Sequence, residues 1–300
     1  MLVVVTATFL LVHLAPGGPA ILLDPALDPA DAEILRTRLG LDRPLIEQYW
    51  RWLADVVRLD FGSSFTFDRP VIGLILERLP ATMLLGGVSL LFALAIAFPL
   101  GIISAKYRSS WIDQLSSMVT LAGISIPNFW LGIVLILIFS VYLGVLPSSG
   151  MSTPGRPVSV VDVAQHLFMP ALVLGLATMA SIAKYTRSSV LGVLKQDYVR
   201  TARAKGLKER LVLTRHALKN ALIPVVTVIG LWLPRMVGGA VVTETIFSWP
   251  GMGRLAISAA FQRDYPIILG VTLVVSTVVV FTNLLVDLVY GYLDPRIRLD

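Results

Sequence analysis

The chain has 300 residues, of which 56% are hydrophobic and only 15% are charged, and its formal net charge is +6. A soluble domain carries roughly 25% charged residues, so this composition excludes an ordinary soluble domain and indicates a polytopic membrane protein. The chain has no cysteine, which excludes disulfides, thiolate catalysis and cysteine metal sites. The excess positive charge lies in loops, so it indicates orientation in a membrane, and we expect no nucleic-acid partner.

Six hydrophobic segments reach or approach the length of about 20 residues that a membrane-spanning helix needs. The first, residues 1–15, is short, and we expect a transmembrane helix whose start is truncated. A signal peptide is the alternative, although the segment has no positive n-region. The sequence therefore predicts an all-α polytopic fold with six transmembrane helices. The other five spans are Met83–Ser104, Leu115–Leu146 with an interruption near Pro127, Phe168–Val190 with Lys184 and Arg187 snorkelling, Leu222–Val242 and Ile267–Tyr290.

Residues 16–80 are expected outside the cytoplasm and contain amphipathic helices. Leu45, Tyr49, Leu53 and Val56 share one helical face, which favours a helix lying on the membrane or on neighbouring helices. A docking surface for an extracytoplasmic partner is the alternative interpretation. Beyond this segment we expect a five-helix core over residues 81–291 and a cytoplasmic tail over residues 292–300.

Residues 195–221 form a basic loop between two hydrophobic segments. From Lys184 to Ala221 there are ten Lys or Arg residues and only two acidic ones. Such a segment resists translocation, so we expect it and both termini in the cytoplasm. Asp197 is a plausible helix start, and Gly206 tolerates positive φ, so it can turn the chain before a second helix from about Lys208. Charge alone leaves two interpretations open: a rigid contact for a soluble partner, or a solvated loop held against anionic lipid.

Polar residues within the spans are candidates for a translocation path, because they are costly in hydrocarbon. Arg235 lies in the fifth span, and Glu244 follows near its outer end. An ion pair between helices or subunits is the alternative for Arg235. Asn128 and Pro127 interrupt the third span, which predicts a kink there, with a gate as the functional alternative.

The sequence predicts that this chain is not itself an enzyme. It lacks the G-x-x-x-x-G-K-[ST] pattern that cradles ATP phosphates. Its three histidines are far apart and lack metal-ligand spacing, so no metal site is expected. The nearest pair for an intramembrane hydrolase, Asn283 and Asp287, is poorly suited to that chemistry.

Eight segments, distributed in order over nearly the entire chain, resemble those of a known protein family. They are APGGPA (15–20), LGLDRPLIEQYWRWL (39–53), RPVIGLILERLPAT (69–82), SIPNFWLGI (125–133), DYVRTARAKGL (197–207), RHALKNALIPV (215–225), ETIFSWPGMGRL (244–255) and RDYPIILG (263–270). The chain resembles the transmembrane permease subunits of bacterial ATP-binding-cassette (ABC) importers. The likeness is greatest to the dipeptide/oligopeptide permease branch in its first-subunit form.

The cytoplasmic motif of such importers reads Glu-Ala-Ala, three residues, Gly, nine residues, Ile, one residue, Leu-Pro. With the motif glycine placed on Gly206, Ala202 and Leu218 also keep the pattern. His216 stands at the Ile position and Lys219 at the Pro position, so the general match is incomplete. These departures resemble the peptide-type version of the loop.

The resemblance implies a type I ABC importer permease fold and ATP-driven import of di- or oligopeptides by alternating access. It implies a location in the bacterial inner membrane, and as partners a homologous second permease, two cytoplasmic ATPases that bind ATP and Mg, and an extracytoplasmic peptide-binding protein. Import of nickel, haem or oligosaccharide by the same branch is one alternative. An ion-coupled secondary transporter is another. The residues that the resemblance implies for ATPase coupling are Asp197, Tyr198, Arg200, Ala202, Gly206 and Leu207.

Overall fold

The structure is a computed structural model that describes residues 2–14, 18–23, 28–218, 220–221, 225, 230 and 240–293. Within these ranges the regular secondary structure is helical, and the β pairing is limited to one isolated bridge between Ser63 and Pro70. The all-α prediction is therefore confirmed for the described residues. In chain order the helices are α1 (Leu2–Leu14), α2 (Pro29–Arg38), α3 (Leu45–Val57), α4 (Val71–Lys106), α5 (Trp111–Ser125), α6 (Asn128–Leu135, continued as a π-helix over Ile136–Tyr142), α7 (Val160–Leu194), α8 (Asp197–Ala204), α9 (Glu209–Leu211, continued as a π-helix over Val212–Ala217), α10 (Met252–Gln262) and α11 (Tyr265–Leu293).

Among the described residues, three helices, α4, α7 and α11, are long and apolar enough to cross a membrane. The pair α5 and α6 also qualifies by composition, but its two halves are bent by 101°. Helix α1 has only 13 residues, and most of the predicted fifth span lies outside the described residues. The number of six spans therefore stays a prediction.

The predicted kink near Pro127 is confirmed, and its cause is local. The residue before a proline is forced out of the helical region, and Ile126 is extended, with ψ 122°. The chain then re-enters a helix at Asn128 directly after Pro127. A single proline thus separates α5 from α6.

The chain divides into two compact units, the first formed by Met1–Thr82 and Pro250–Val280. Asp264 is fully buried here and accepts hydrogen bonds from Ser64 Oγ at 2.6 Å and from the Thr66 amide at 3.0 Å. This carboxylate holds the loop before α4 against the start of α11. The apolar core below it contains Phe61, Val71, Leu74, Ile75, Met252, Leu255, Ala259, Ile267 and Val271.

The amphipathic helix predicted after residue 45 is present in the first unit as α3. Tyr49 packs its ring edge against Phe9 of α1 and forms a 2.8 Å hydrogen bond with Thr6. Trp52 also contacts Phe9. Helix α3 therefore packs on a neighbouring helix, while Ile46, Trp50 and Val57 remain exposed on its other side.

The second unit, Met83–Trp249 and Phe281–Asp300, is organised around α7, whose middle is almost entirely buried. Glycines let α4 approach it closely. A Cβ on Gly101 would lie 2.7 Å from the Ala183 carbonyl oxygen, and a Cβ on Gly175 would lie 2.8 Å from the Ser89 carbonyl oxygen. Small residues at such crossings allow the backbone-to-backbone packing that holds helices together in lipid.

Replacing Gly101 by alanine should therefore destabilise the protein by about 1–3 kcal/mol, because the added methyl group meets a backbone atom that cannot move aside. Gly87→Ala is the matched control, because Gly87 lies on the same helix as Gly101 and a Cβ there would meet nothing within 4 Å. Thermal unfolding of the purified protein, followed by circular dichroism, measures both. Equal melting temperatures for the two variants would contradict the close approach of α4 and α7.

Candidate functional site

Helix α8 and the turn after it form the first half of the basic loop. Gly206 has φ +75°, as the sequence predicts, and its amide donates to the Arg203 carbonyl at 2.9 Å. The Leu207 amide donates to the Ala202 carbonyl at 3.4 Å. This pair of bonds is a Schellman motif, which ends a helix and reverses the chain where a glycine adopts the left-handed conformation. The next helix, α9, starts at Glu209, one residue after the predicted start.

The basic loop has a small apolar core of its own. Val199, Ala202 and Val212 are buried together, and Leu207 packs against them. Val193 and Leu194, from the end of α7, contact the same cluster. Because the loop and the last turn of α7 share this core, α8 cannot shift without acting on α7.

A surface ion pair closes the turn between α8 and α9. Arg203 donates to both oxygens of Glu209, with Nη2 at 2.6 Å and Nε at 3.1 Å. The hydrogen bond from Arg203 holds the pKa of the Glu209 carboxyl below its usual value. Both side chains are about half exposed, so we expect solvent to screen the pair and its main effect to be on the geometry of the turn.

The six loop residues implied for coupling therefore divide into two groups. Asp197, Tyr198 and Arg200 are exposed, and the Tyr198 hydroxyl accepts a 2.9 Å hydrogen bond from Asn220. The other three shape the loop: Ala202 and Leu207 through its core, and Gly206 through its turn. The first group forms an outer surface that a partner can contact.

A polar cluster around a buried carboxylate, which we call the anchor (Ser104, Asp113 and Arg187), lies near the start of the basic loop. Arg187 donates to both carboxylate oxygens of Asp113, each at 2.7 Å, and Asp113 is only 5% exposed. Ser104 Oγ also donates to Asp113, as does the Ser109 amide at 2.9 Å. Four donors thus satisfy a carboxylate that would otherwise be costly to bury.

Sequence reasoning missed the anchor. The snorkelling expected of Arg187 stays a prediction, and the structure adds a partner that the sequence did not indicate: a buried carboxylate, Asp113, 74 positions away along the chain. The available signal was weak: an acid in the first turn of α5 also stabilises that helix end, so Asp113 had an adequate local explanation.

The anchor lies close to the last turns of α7. A second apolar cluster there, with Ala105, Val190 and Ala221 at its centre, packs the end of α4 on α7 and on the far end of the loop. Ser189 Oγ adds a 2.6 Å hydrogen bond to the Ala221 carbonyl. Both ends of the basic loop are therefore attached to α7.

The three candidate path residues have different positions. Asn128 is half-buried at the start of α6, and Glu244 is fully buried in a helical segment, residues 240–246. Helix α6 contacts the end of that segment, since a Cβ on Gly132 would lie 3.3 Å from Ile246 and Phe247. Arg235 lies outside the described residues. In the part of the chain that the structure describes, no group of three or more His, Cys, Asp or Glu residues is arranged to hold a metal ion.

Comparisons with known proteins match nearly the whole chain. The family model for "Binding-protein-dependent transport system inner membrane component" matches residues 97–299, and the corresponding N-terminal model matches residues 1–86. "Oligopeptide transport system permease protein AppB" of Bacillus subtilis is 46% identical, covering 97% of this chain and 93% of the relative. "Glutathione transport system permease protein GsiC" of Escherichia coli K12 is 42% identical, covering 99% and 94%.

A solved structure shares the fold. An inward-facing form of the MetNI methionine ABC transporter matches with a TM-score of 0.62, covering 74% of this chain and 97% of the matched chain. The sequence identity is 16%, so this likeness concerns the fold alone. It agrees with the type I importer permease fold expected from the sequence.

The anchor predicts a strong energetic coupling between Asp113 and Arg187. Asp113→Ala leaves a partly buried guanidinium without its partner. We therefore expect the free energy of unfolding to fall by about 3 kcal/mol, which is at the lower end of the range for a broken buried ion pair. The loss of unfolding free energy in the double variant Asp113→Ala/Arg187→Ala should be smaller, by at least about 0.5 kcal/mol, than the sum of the losses in the two single variants. Denaturant unfolding of the purified chain measures this cycle.

Asp162 provides the control for that cycle. It lies in the first turn of α7 and accepts two hydrogen bonds from Thr153, at 2.6 and 2.8 Å. The effects of Asp162→Ala and Arg187→Ala on the free energy of unfolding should add, because the two side chains share no partner. Additivity in both cycles would rule out the anchor.

Proposed function

The chain belongs to the family of binding-protein-dependent transport system inner membrane components, and from this membership we propose that it forms part of the path by which an ABC importer moves di- and oligopeptides across the bacterial inner membrane. The observation that supports peptides as the cargo is the 46% identity, over 97% of this chain, to a protein named as an oligopeptide permease. A second relative, named for glutathione, a peptide-like cargo, supports the same class of substrate. Nickel and haem remain as alternative cargoes for the test below.

Energy for transport must come from other subunits. Membrane components of ABC importers work with ATPases and with a substrate-binding protein, and the sequence of this chain lacks the phosphate-binding loop that an ATPase needs. We therefore propose a complex with a homologous second permease, two cytoplasmic ATPases that bind ATP and Mg, and an extracytoplasmic peptide-binding protein. This chain itself has no cofactor and no catalytic residue in the proposal.

The basic loop is the proposed contact with an ATPase. Its exposed residues Asp197, Tyr198 and Arg200 would meet the ATPase, and its apolar core would pass the displacement to Val193 and Leu194 at the end of α7. The excess of Lys and Arg in the loop supports its location in the cytoplasm, and with it the cytoplasmic location of both termini.

The anchor would then extend the movement to three helices. Ser104 lies on α4, Asp113 on α5 and Arg187 on α7, so a displaced α7 end would carry the ends of α4 and α5 with it. Coordinated movement of these helices is what alternating access requires, because the path must close on one side as it opens on the other. Asn128, Glu244 and Arg235 remain the proposed polar residues of that path.

The cargo is tested with the reconstituted complex in liposomes. Di- and oligopeptides, loaded onto the binding protein, should stimulate ATP hydrolysis and accumulate inside only when ATP is present on the ATPase side. Nickel and haem are the parallel substrates. If nickel or haem stimulates ATP hydrolysis and peptides do not, the assignment of peptides as the cargo is overturned. Uptake driven by a proton gradient without ATP would overturn the proposed mechanism.

Gly206→Val tests the loop. Left-handed backbone costs an ordinary residue roughly 1–2 kcal/mol, and a β-branched side chain opposes it further, so the turn should open. We expect peptide uptake to fall about tenfold or more while the chain still inserts into the membrane. Gly206→Asn should keep most of the activity, because asparagine adopts this conformation more readily.

Gly155→Val is the matched control, because Gly155 has a similar φ of +78° in the loop before α7, with open space around it. Its uptake should stay near that of the unmodified protein. Co-purification with the ATPase, measured for all three variants, separates a lost contact from a lost fold. Normal ATPase binding and uptake in Gly206→Val would count against the coupling assignment.

A further inference from the structure

A basic cleft of about 390 Å³, which we call the interfacial cleft, opens beside the anchor and is not used by the proposed transport mechanism. It lies between the turn after α4 and the last two turns of α7. None of the described residues that line it is acidic. They are Arg108, Arg187, Ser188, Leu191, Gly192 and Lys195.

Two of the three cations at the cleft have no carboxylate partner in the described part of the chain. Arg108 and Lys195 are both exposed and form no ion pair there. The third, Arg187, uses Nε and Nη2 to bind Asp113, which leaves its Nη1 group outside that pair. Asp113 compensates the charge of Arg187, but Arg108 and Lys195 repel each other, and a bound anion would remove that repulsion.

The cleft has the size and shape for a small anionic group. Gly192 leaves open space on the exposed side of α7, since a Cβ there would meet nothing within 4 Å. The exposed Ser188, one turn earlier, supplies a hydroxyl donor. Phosphate oxygens suit such a mixture of guanidinium, ammonium and hydroxyl donors.

The position of the cleft along the helices indicates where the anion comes from. Helices α4 and α7 are both long enough to cross the membrane, and they end at Lys106 and Leu194, so residues 108 and 195 lie just beyond two spans. Phospholipid headgroups occupy this layer, directly outside the hydrocarbon. Two exposed aromatic side chains, Tyr107 and Trp111, flank Arg108 in sequence, and such residues are enriched at this level of a membrane protein.

We propose that the interfacial cleft binds the phosphate group of an anionic phospholipid. Arg108 and Lys195 contact the phosphate from the two sides of the cleft, and Ser188 and the free edge of Arg187 complete the site. Free inorganic phosphate offers the same chemistry, but the headgroup layer supplies lipid phosphate at this depth continuously. Because Arg187 also belongs to the anchor, the bound lipid would contact the anchor directly.

Native mass spectrometry of the purified complex, released from nanodiscs of phosphatidylcholine with a minor fraction of phosphatidylglycerol, tests the proposal. The unmodified complex should retain phosphatidylglycerol. The double variant Arg108→Gln/Lys195→Gln should retain about tenfold less, because both unpaired cations are lost. Gly192→Leu should have the same effect with every charge in place, since its side chain fills the cleft.

Lys205→Gln/Lys208→Gln is the control, because it removes two exposed cations of the basic loop that do not line the cleft. Its lipid retention should equal that of the unmodified complex. Equal retention in all variants, or equal loss in the control, would overturn the site. In a parallel arm, inorganic phosphate is added to the same lipid mixture, and displacement of the bound phosphatidylglycerol by inorganic phosphate would overturn the lipid assignment.

Discussion

Burying a carboxylate is possible only where enough donors replace the water it loses, and Asp113 meets this condition through the anchor. The donors come from α4, from the turn after it and from α7, so the requirement of one side chain fixes three helix ends relative to one another. Removing any one donor would leave charge or polarity uncompensated. The arrangement of the second unit at the basic loop therefore depends on this one cluster.

Two kinds of contact maintain α4 and α7 as a rigid pair. The glycine contacts at Gly101 and Gly175 bring the backbones together within the apolar region, and the anchor ties the same helices near their ends. The first depends on shape and the second on charge, so the pair resists both separation and sliding. A force applied at α8 would act on this pair as a whole, because the loop core includes Val193 and Leu194.

Local features of the sequence were predictable where the backbone alone decides them. The turn at Gly206 and the break at Pro127 follow from the conformations those residues allow, and both are present. The pairing of Asp113 with Arg187 could not be predicted, because it depends on how α5 packs on α7 and each residue had a sufficient local explanation. The helix that contains the predicted span Met83–Ser104 is longer than that span: α4 begins at Val71 and runs through Pro80, and its first turns pack in the core of the first unit.

The 101° break between α5 and α6 has a consequence for where water can be. The Ala122 carbonyl accepts a 3.0 Å hydrogen bond from the Ile126 amide, and the Leu131 amide donates to the Pro127 carbonyl at 3.0 Å. The other carbonyls in the last turn of α5 and the other amides in the first turn of α6 have no partners within their own helices. Hydrocarbon cannot hydrogen-bond them, and each unpaired group would cost several kcal/mol in lipid. If the two helices lie within the bilayer, their junction must face protein or water rather than acyl chains. The unpaired backbone groups, more than any side chain, would then require that water or protein contacts this junction inside the membrane.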